Sequence, residues 1–186
     1  MSRKRDAGKS RRMRPAILVA CEGETEEVYV DFLRKQYRCP IKIVSRILGG
    51  DINERRIKSI QDSMKVSGND VIQTFFMFDR DVSAVNSKID KLDGIKLCSN
   101  PCIELWFLLH VKNQRSPLSS QECLNVLRQQ GSAWKDYDKS FLSLKQRENL
   151  WEMRFMAVDR AKTLNASLNP SSTVYKLIEY LEDNHR

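Results

Sequence analysis

No run of apolar residues in this 186-residue chain approaches the roughly 20 needed to cross a bilayer, and the first residues carry no apolar stretch of the secretory kind. A cytoplasmic protein without membrane contact is the expectation. Histidine is scarce, with only His110 and His185. The five cysteines (Cys21, Cys39, Cys98, Cys102, Cys123) are odd in number and scattered, so they form neither a disulfide framework nor a repeated CxxC pattern. No zinc site is expected. There is also no Gly-rich loop of the type that cradles nucleotide phosphates, no internal repeat, and no low-complexity segment beyond the first residues.

What the chain does have is an uneven charge. The net +8 is concentrated at the start, where Arg3, Lys4, Arg5, Lys9, Arg11, Arg12 and Arg14 face only Asp6. The remainder is nearly balanced. A basic tail of this kind suits a phosphate backbone, since neutralised phosphates release counterions whatever the base sequence. Arg12 and Arg14 are its candidate nucleic-acid contacts, and a disordered, solubilising terminus is the competing reading.

The length allows one substantial core plus a small addition. The apolar run Ala16 to Cys21 reads as a strand covered on both faces, broken by Glu22-Gly23-Glu24-Thr25. A helix follows with Thr25 as its N-cap, acids in the first turn, and an apolar stripe through Val28, Phe32 and Leu33. Residues 41 to 48 read as a second strand, residues 53 to 66 as a polar helix, and residues 71 to 78 as the most apolar strand, ending in Asp79-Arg80-Asp81. A helix over 83 to 92 and a short strand over 95 to 98, introduced by Gly94, come next. Asn100 and Pro101 then open another helix as N-cap and first helical residue. Alternating strands and helices predict an α/β fold with a mainly parallel sheet over residues 15–112. Beyond Asn113 the signals are helical only (119–130, an irregular 134–150, 151–167 and 173–183), predicting a helical extension over 113–186 packed on that domain.

Ligands of an open parallel sheet gather at the carboxyl ends of its strands, where Glu22, Asp79 and Asp81 fall. Such acids repel one another, and a bound cation is the ordinary remedy. Oxygen ligands suit magnesium, which takes one or two carboxylates along with waters and phosphate oxygens; manganese is an acceptable substitute. Asp79 and Asp81, two apart in extended chain, point to one side. Glu22 completes the set or acts as general base, and Glu26 holds a second ion or orients water. Each acid alone also reads as a solvated turn residue or a helix-dipole partner.

Glu104 sits in a helix that is apolar on nearly every side, where an ionised carboxylate needs compensation. Either it points back to the metal edge or it pairs with an Arg of the C-terminal helices. His110, at the helix end, reads as a hydrogen-bonded or dipole-stabilised residue rather than a catalyst. Lys135, Lys139, Lys145 and Arg147 are interleaved with Trp134, Tyr137 and Phe141, a mixture that suits backbone contact and base stacking. A solvated face carrying core aromatics explains the same letters; Lys139 is the candidate nucleic-acid contact.

Three segments, Glu22-Gly23-Glu24-Thr25-Glu26, Phe78-Asp79-Arg80-Asp81 and the run from Ser99 to His110, together with Asn169-Pro170-Ser171-Ser172-Thr173-Val174-Tyr175-Lys176-Leu177, resemble the RloB-like family, a Toprim branch close to the OLD nucleases. The resemblance implies a Toprim-like fold with Glu22 as the Toprim glutamate, Asp79 and Asp81 as metal ligands, and Glu26 as the second acid. Glu104 and Asn100 are implied as supporting site residues. It also implies a metal-dependent nuclease of a defence system, held in check by a partner ATPase, acting on DNA or RNA. Two other classes compete: a non-catalytic module that docks on nucleic acid or an ATPase, and primer synthesis, which the missing phosphate loop disfavours.

Overall fold

The computed structural model describes residues 16–44, 53–64, 72–80, 87 and 89–184. Its centre is a five-stranded sheet in the order β2-β1-β3-β4-β5. The strands are β1 (Ala16–Cys21), β2 (Ile41–Val44), β3 (Ile72–Asp79), β4 (Ile95–Asn100) and β5 (Ser171–Ser172). The first four run parallel, and β5 pairs antiparallel with β4. Among the described residues seven helices flank the sheet: α1 (Glu24–Tyr37), α2 (Glu54–Ser63), α3 (Ile103–Val111), α4 (Ser120–Arg128), α5 (Leu144–Glu152), α6 (Arg154–Lys162) and α7 (Tyr175–Asn184). This is the α/β, mainly parallel architecture read from the alternation of elements, and it is consistent with a Toprim-like fold.

The two-residue period of a strand sorts the apolar runs into two layers. Ile17, Val19 and Cys21 of β1 and Phe75 and Met77 of β3 enter one core with α1, α3 and the C-terminal helices. Leu18, Ala20, Phe76 and Phe78 enter the other, with Ile57 of α2 and Ile89. Burial on both faces is why these strands are apolar throughout.

The first core continues without interruption from the sheet into Cys123, Trp134, Leu150, Ala157 and Leu177. Helix α3 lies at its centre, and every residue from Ile103 to His110 is buried. A helix enclosed on all sides has no need of an apolar stripe, so its sequence shows none. The indole N–H of Trp106 donates to the Tyr29 hydroxyl at 2.7 Å, tying α3 to α1.

Four local expectations are corrected. The N-cap of α1 is Gly23 and not Thr25. The Thr25 hydroxyl oxygen instead accepts the Ser140 backbone N–H at 3.1 Å, so tertiary contact takes the group that local capping would have used. Asn100 and Pro101 do not start α3: β4 extends to Asn100, which pairs with Ser171, and the N-cap is Cys102. The chain beyond Asn113 is not purely helical, because β5 adds an edge strand whose serines carry no apolar signal. Thr173 secures that edge by donating its backbone N–H to Cys98 O and accepting the Cys98 N–H, both at 2.8 Å. Finally, the stretches expected over 134–150 and 151–167 become a turn followed by α5 and α6, because the capping box of Ser143 and Gln146 starts α5 at Leu144. The far end of the strand expected over 41–48 and most of the helix expected over 83–92 lie outside the described residues.

Candidate active site

The carboxyl ends of β1 and β3 are neighbours in the sheet, and the chain leaves each of them with an acid. Glu22 follows β1 directly, and its carboxylate Oε2 accepts the backbone N–H of Asp79, the last residue of β3, at 2.9 Å. Extended Gly23 then leads into α1, whose first turn carries Glu24, Glu26 and Glu27 against the positive end of the helix dipole. Helix α3 brings Glu104 in from the core side. These elements enclose a cleft of about 350 Å³ lined by Glu22, Glu24, Glu26, Asp79 and Glu104 with Gly23, Thr25, Ile103, Lys139 and Ser140.

Little water reaches the inner acids. Glu26 is 5 % exposed and Glu104 1 %. Burial, reinforced by Glu22 and Glu104 and eased by Lys139 and a backbone hydrogen bond, pushes the Glu26 carboxyl up to about 7. Burial together with Glu26, Cys102, Glu104 and Glu22 pushes Asp79 up to about 10. Asp79 Oδ1 is buried and has no hydrogen-bond partner. A carboxylate oxygen so placed, among acids that hold its proton on, is poised to receive a cation. Glu104 is compensated on one side by the Tyr137 hydroxyl, which donates at 3.2 Å, and by the Lys139 ammonium at 3.8 Å.

Of the two readings of Glu104, the cleft-facing one is observed, and its cationic neighbour is a lysine from the C-terminal region, not an arginine. Asn100 ends β4 beside the site but is not among the cleft-lining residues. Asp81, Arg12 and Arg14 lie outside the described residues. Among the described residues no three His, Cys, Asp or Glu side chains are grouped to hold a metal by themselves.

His110 is fully buried and its Nδ1 bonds Trp106 O at 2.8 Å. Burial, with Arg160 nearby, lowers it to about 4, so it is a neutral packing residue. In the basic-aromatic stretch, Trp134 and Tyr137 pack on Phe107 and belong to the core, while Phe141 is exposed. Sequence reasoning missed Thr25 and Ser140 as cleft residues; they meet only through a contact 115 residues apart in the chain.

The family model for RloB-like proteins matches residues 17–181. The chain belongs to the RloB-like family. Comparison with curated proteins and with solved structures found no match. The match spans both the sheet and the C-terminal helices of this RloB-like protein, as does the continuous core.

Proposed function

We propose that this RloB-like protein is a metal-dependent nuclease that hydrolyses nucleic-acid phosphodiesters. The observation that carries the reading is the buried, unpartnered Asp79 Oδ1 in a cleft that also gathers Glu22, Glu26 and Glu104. Glu22 and Asp79, with Asp81, would hold magnesium or manganese. When bound, the cation supplies charge neutralisation at the phosphate and acidifies water. Glu22 is oriented for this by the Asp79 N–H, which fixes one of its oxygens. Glu26, whose carboxyl is pushed up to about 7 by burial in the metal-free cleft, is the candidate to take a proton from the attacking water. Lys139, with its side chain 58 % exposed, offers the cleft a cation for the incoming phosphate while neutralising Glu104.

The family resemblance supports a place in a defence system under the control of a partner ATPase, and the basic N-terminal residues support nucleic acid as the polymer. Purified protein, alone and with a candidate partner ATPase, is incubated with plasmid DNA, single-stranded DNA and total tRNA in magnesium, manganese or EDTA. Cleavage that needs metal and is lost in a folded Asp79→Ala variant supports the reading, and the susceptible polymer names the substrate. Absence of cleavage under every condition, combined with salt-sensitive binding indifferent to chelator, would replace it with a docking module.

A further inference from the structure

The cleft wall is completed by a short turn, Lys139-Ser140, and the next residue is Phe141. That turn is firmly built. Tyr137 and Trp134 anchor it from below against Phe107, with ring centroids 6.0 Å away in each case. The Tyr137 carbonyl accepts Arg128 Nε–H at 3.0 Å, and Ser140 N–H is held by Thr25 at the start of α1. Ser140 takes φ +65°, a left-handed conformation uncommon for a side-chain-bearing residue, and the chain turns sharply there. The next residue, Phe141, is 62 % exposed. Phe141 Cα lies about 3.8 Å from the Cα of cleft-lining Ser140.

We propose that Phe141 is a stacking platform for an unpaired nucleobase next to the phosphate in the cleft, which makes single-stranded or looped nucleic acid the preferred substrate class. This rests on the nuclease reading above. An exposed aromatic residue two positions along the chain from a cleft-lining ammonium allows a strand to be held through its backbone and a base face together. Bases in a duplex have their faces covered by their neighbours and cannot use such a ring without being extruded. Trp134 and Tyr137 serve this end by fixing the turn and not by stacking, since both rings are buried. The choice of a base over a protein side chain rests on chain position: Phe141 directly follows cleft-lining Ser140 and stands two residues after Lys139.

The test is equilibrium binding of the full chain, in EDTA so that no strand is cut, to a fluorescein-labelled 12-mer, to the same sequence as a duplex, and to 12-mers with one abasic position moved stepwise. Phe141→Ala and Phe141→Trp are compared with Phe155→Ala, an exposed aromatic on α6, a helix that contributes no residue to the cleft. The unpaired 12-mer binds wild type more tightly than the duplex. Phe141→Ala weakens it by about 5- to 150-fold, the range found when a base-stacking aromatic is removed. Phe141→Trp restores it, Phe155→Ala does not change it, and one abasic position weakens wild type but not Phe141→Ala. Equal binding of strand and duplex, or an abasic penalty that persists in Phe141→Ala, overturns the proposal. If metal-dependent cutting remains in that case, only the stacking platform falls. If neither binding nor cutting is seen, the nuclease reading falls with it.

Discussion

The Glu22 carboxylate accepts the backbone N–H of Asp79 at 2.9 Å, so the first acid of the cleft is positioned by the main chain of the second. A side-chain change at Asp79 therefore leaves the Glu22 anchor in place. Asp79→Asn is expected to fold, to keep the Glu22 hydrogen bond, and to lose cleavage by on the order of 100-fold or more. Glu22→Gln is expected to lose comparable activity. Circular dichroism alongside turnover checks both.

Without metal, folding forces Asp79 and Glu26 to keep protons that the unfolded chain releases near pH 4. Their contribution to stability is present below that pH and falls as pH rises towards about 7 for Glu26 and about 10 for Asp79. His110, lowered to about 4, works in the opposite sense, and its contribution is lost as pH falls from about 6.5 towards 4. The window from about 7 to 8 isolates Asp79, because above it the buried thiols of Cys21, Cys98 and Cys102, also raised, add to the slope. Metal-free protein should lose roughly 1.4 kcal/mol per pH unit between about 7 and 8, and Asp79→Asn should flatten that slope. Magnesium should flatten it in the wild type, as denaturant melts at stepped pH will show.

Lys139 lowers the proton affinity of Glu26 and lies 3.8 Å from Glu104. Lys139→Gln removes that cation, so the Glu26 pKa should rise further and the rising limb of the pH–rate profile should move to higher pH. The same variant should bind nucleic acid with a salt slope shallower by about 1, as for the loss of one phosphate contact.

Gly23 is extended at φ −132°, a conformation open to any residue, and a methyl group there would sit 3.0 Å from Glu26 Oε2. Gly23→Ala should therefore leave the fold intact and shift the Glu26 carboxylate. The expected result is a lower kcat with a changed pH profile and an unchanged Tm.

The sheet was legible in the sequence because strands buried on both faces need continuous apolar runs, and Ile17–Cys21 and Phe75–Phe78 supply them. The acids at the strand ends were legible for the same reason, since each breaks such a run. Thr25, Asn100 and Pro101 misled because capping preference is local, whereas a strand edge at Ser171 and a turn at Ser140 claimed those groups from far along the chain. Glu104 announced itself as a costly charge in an apolar helix, but only the packing of Tyr137 and Lys139 shows which way it faces. The buried state of Trp134 and Tyr137 was invisible from composition, because aromatics interleaved with lysines serve a core and a surface equally well.

The most direct measurement is a manganese titration of metal-free protein in which ion binding, by calorimetry, and cleavage of the most susceptible polymer are read at the same concentrations. In the wild type, the cutting rate should rise in proportion to metal occupancy, and in Asp79→Asn both should disappear together. Cutting that persists in EDTA, or manganese binding unchanged in Asp79→Asn, would contradict a metal-dependent site built on Glu22 and Asp79.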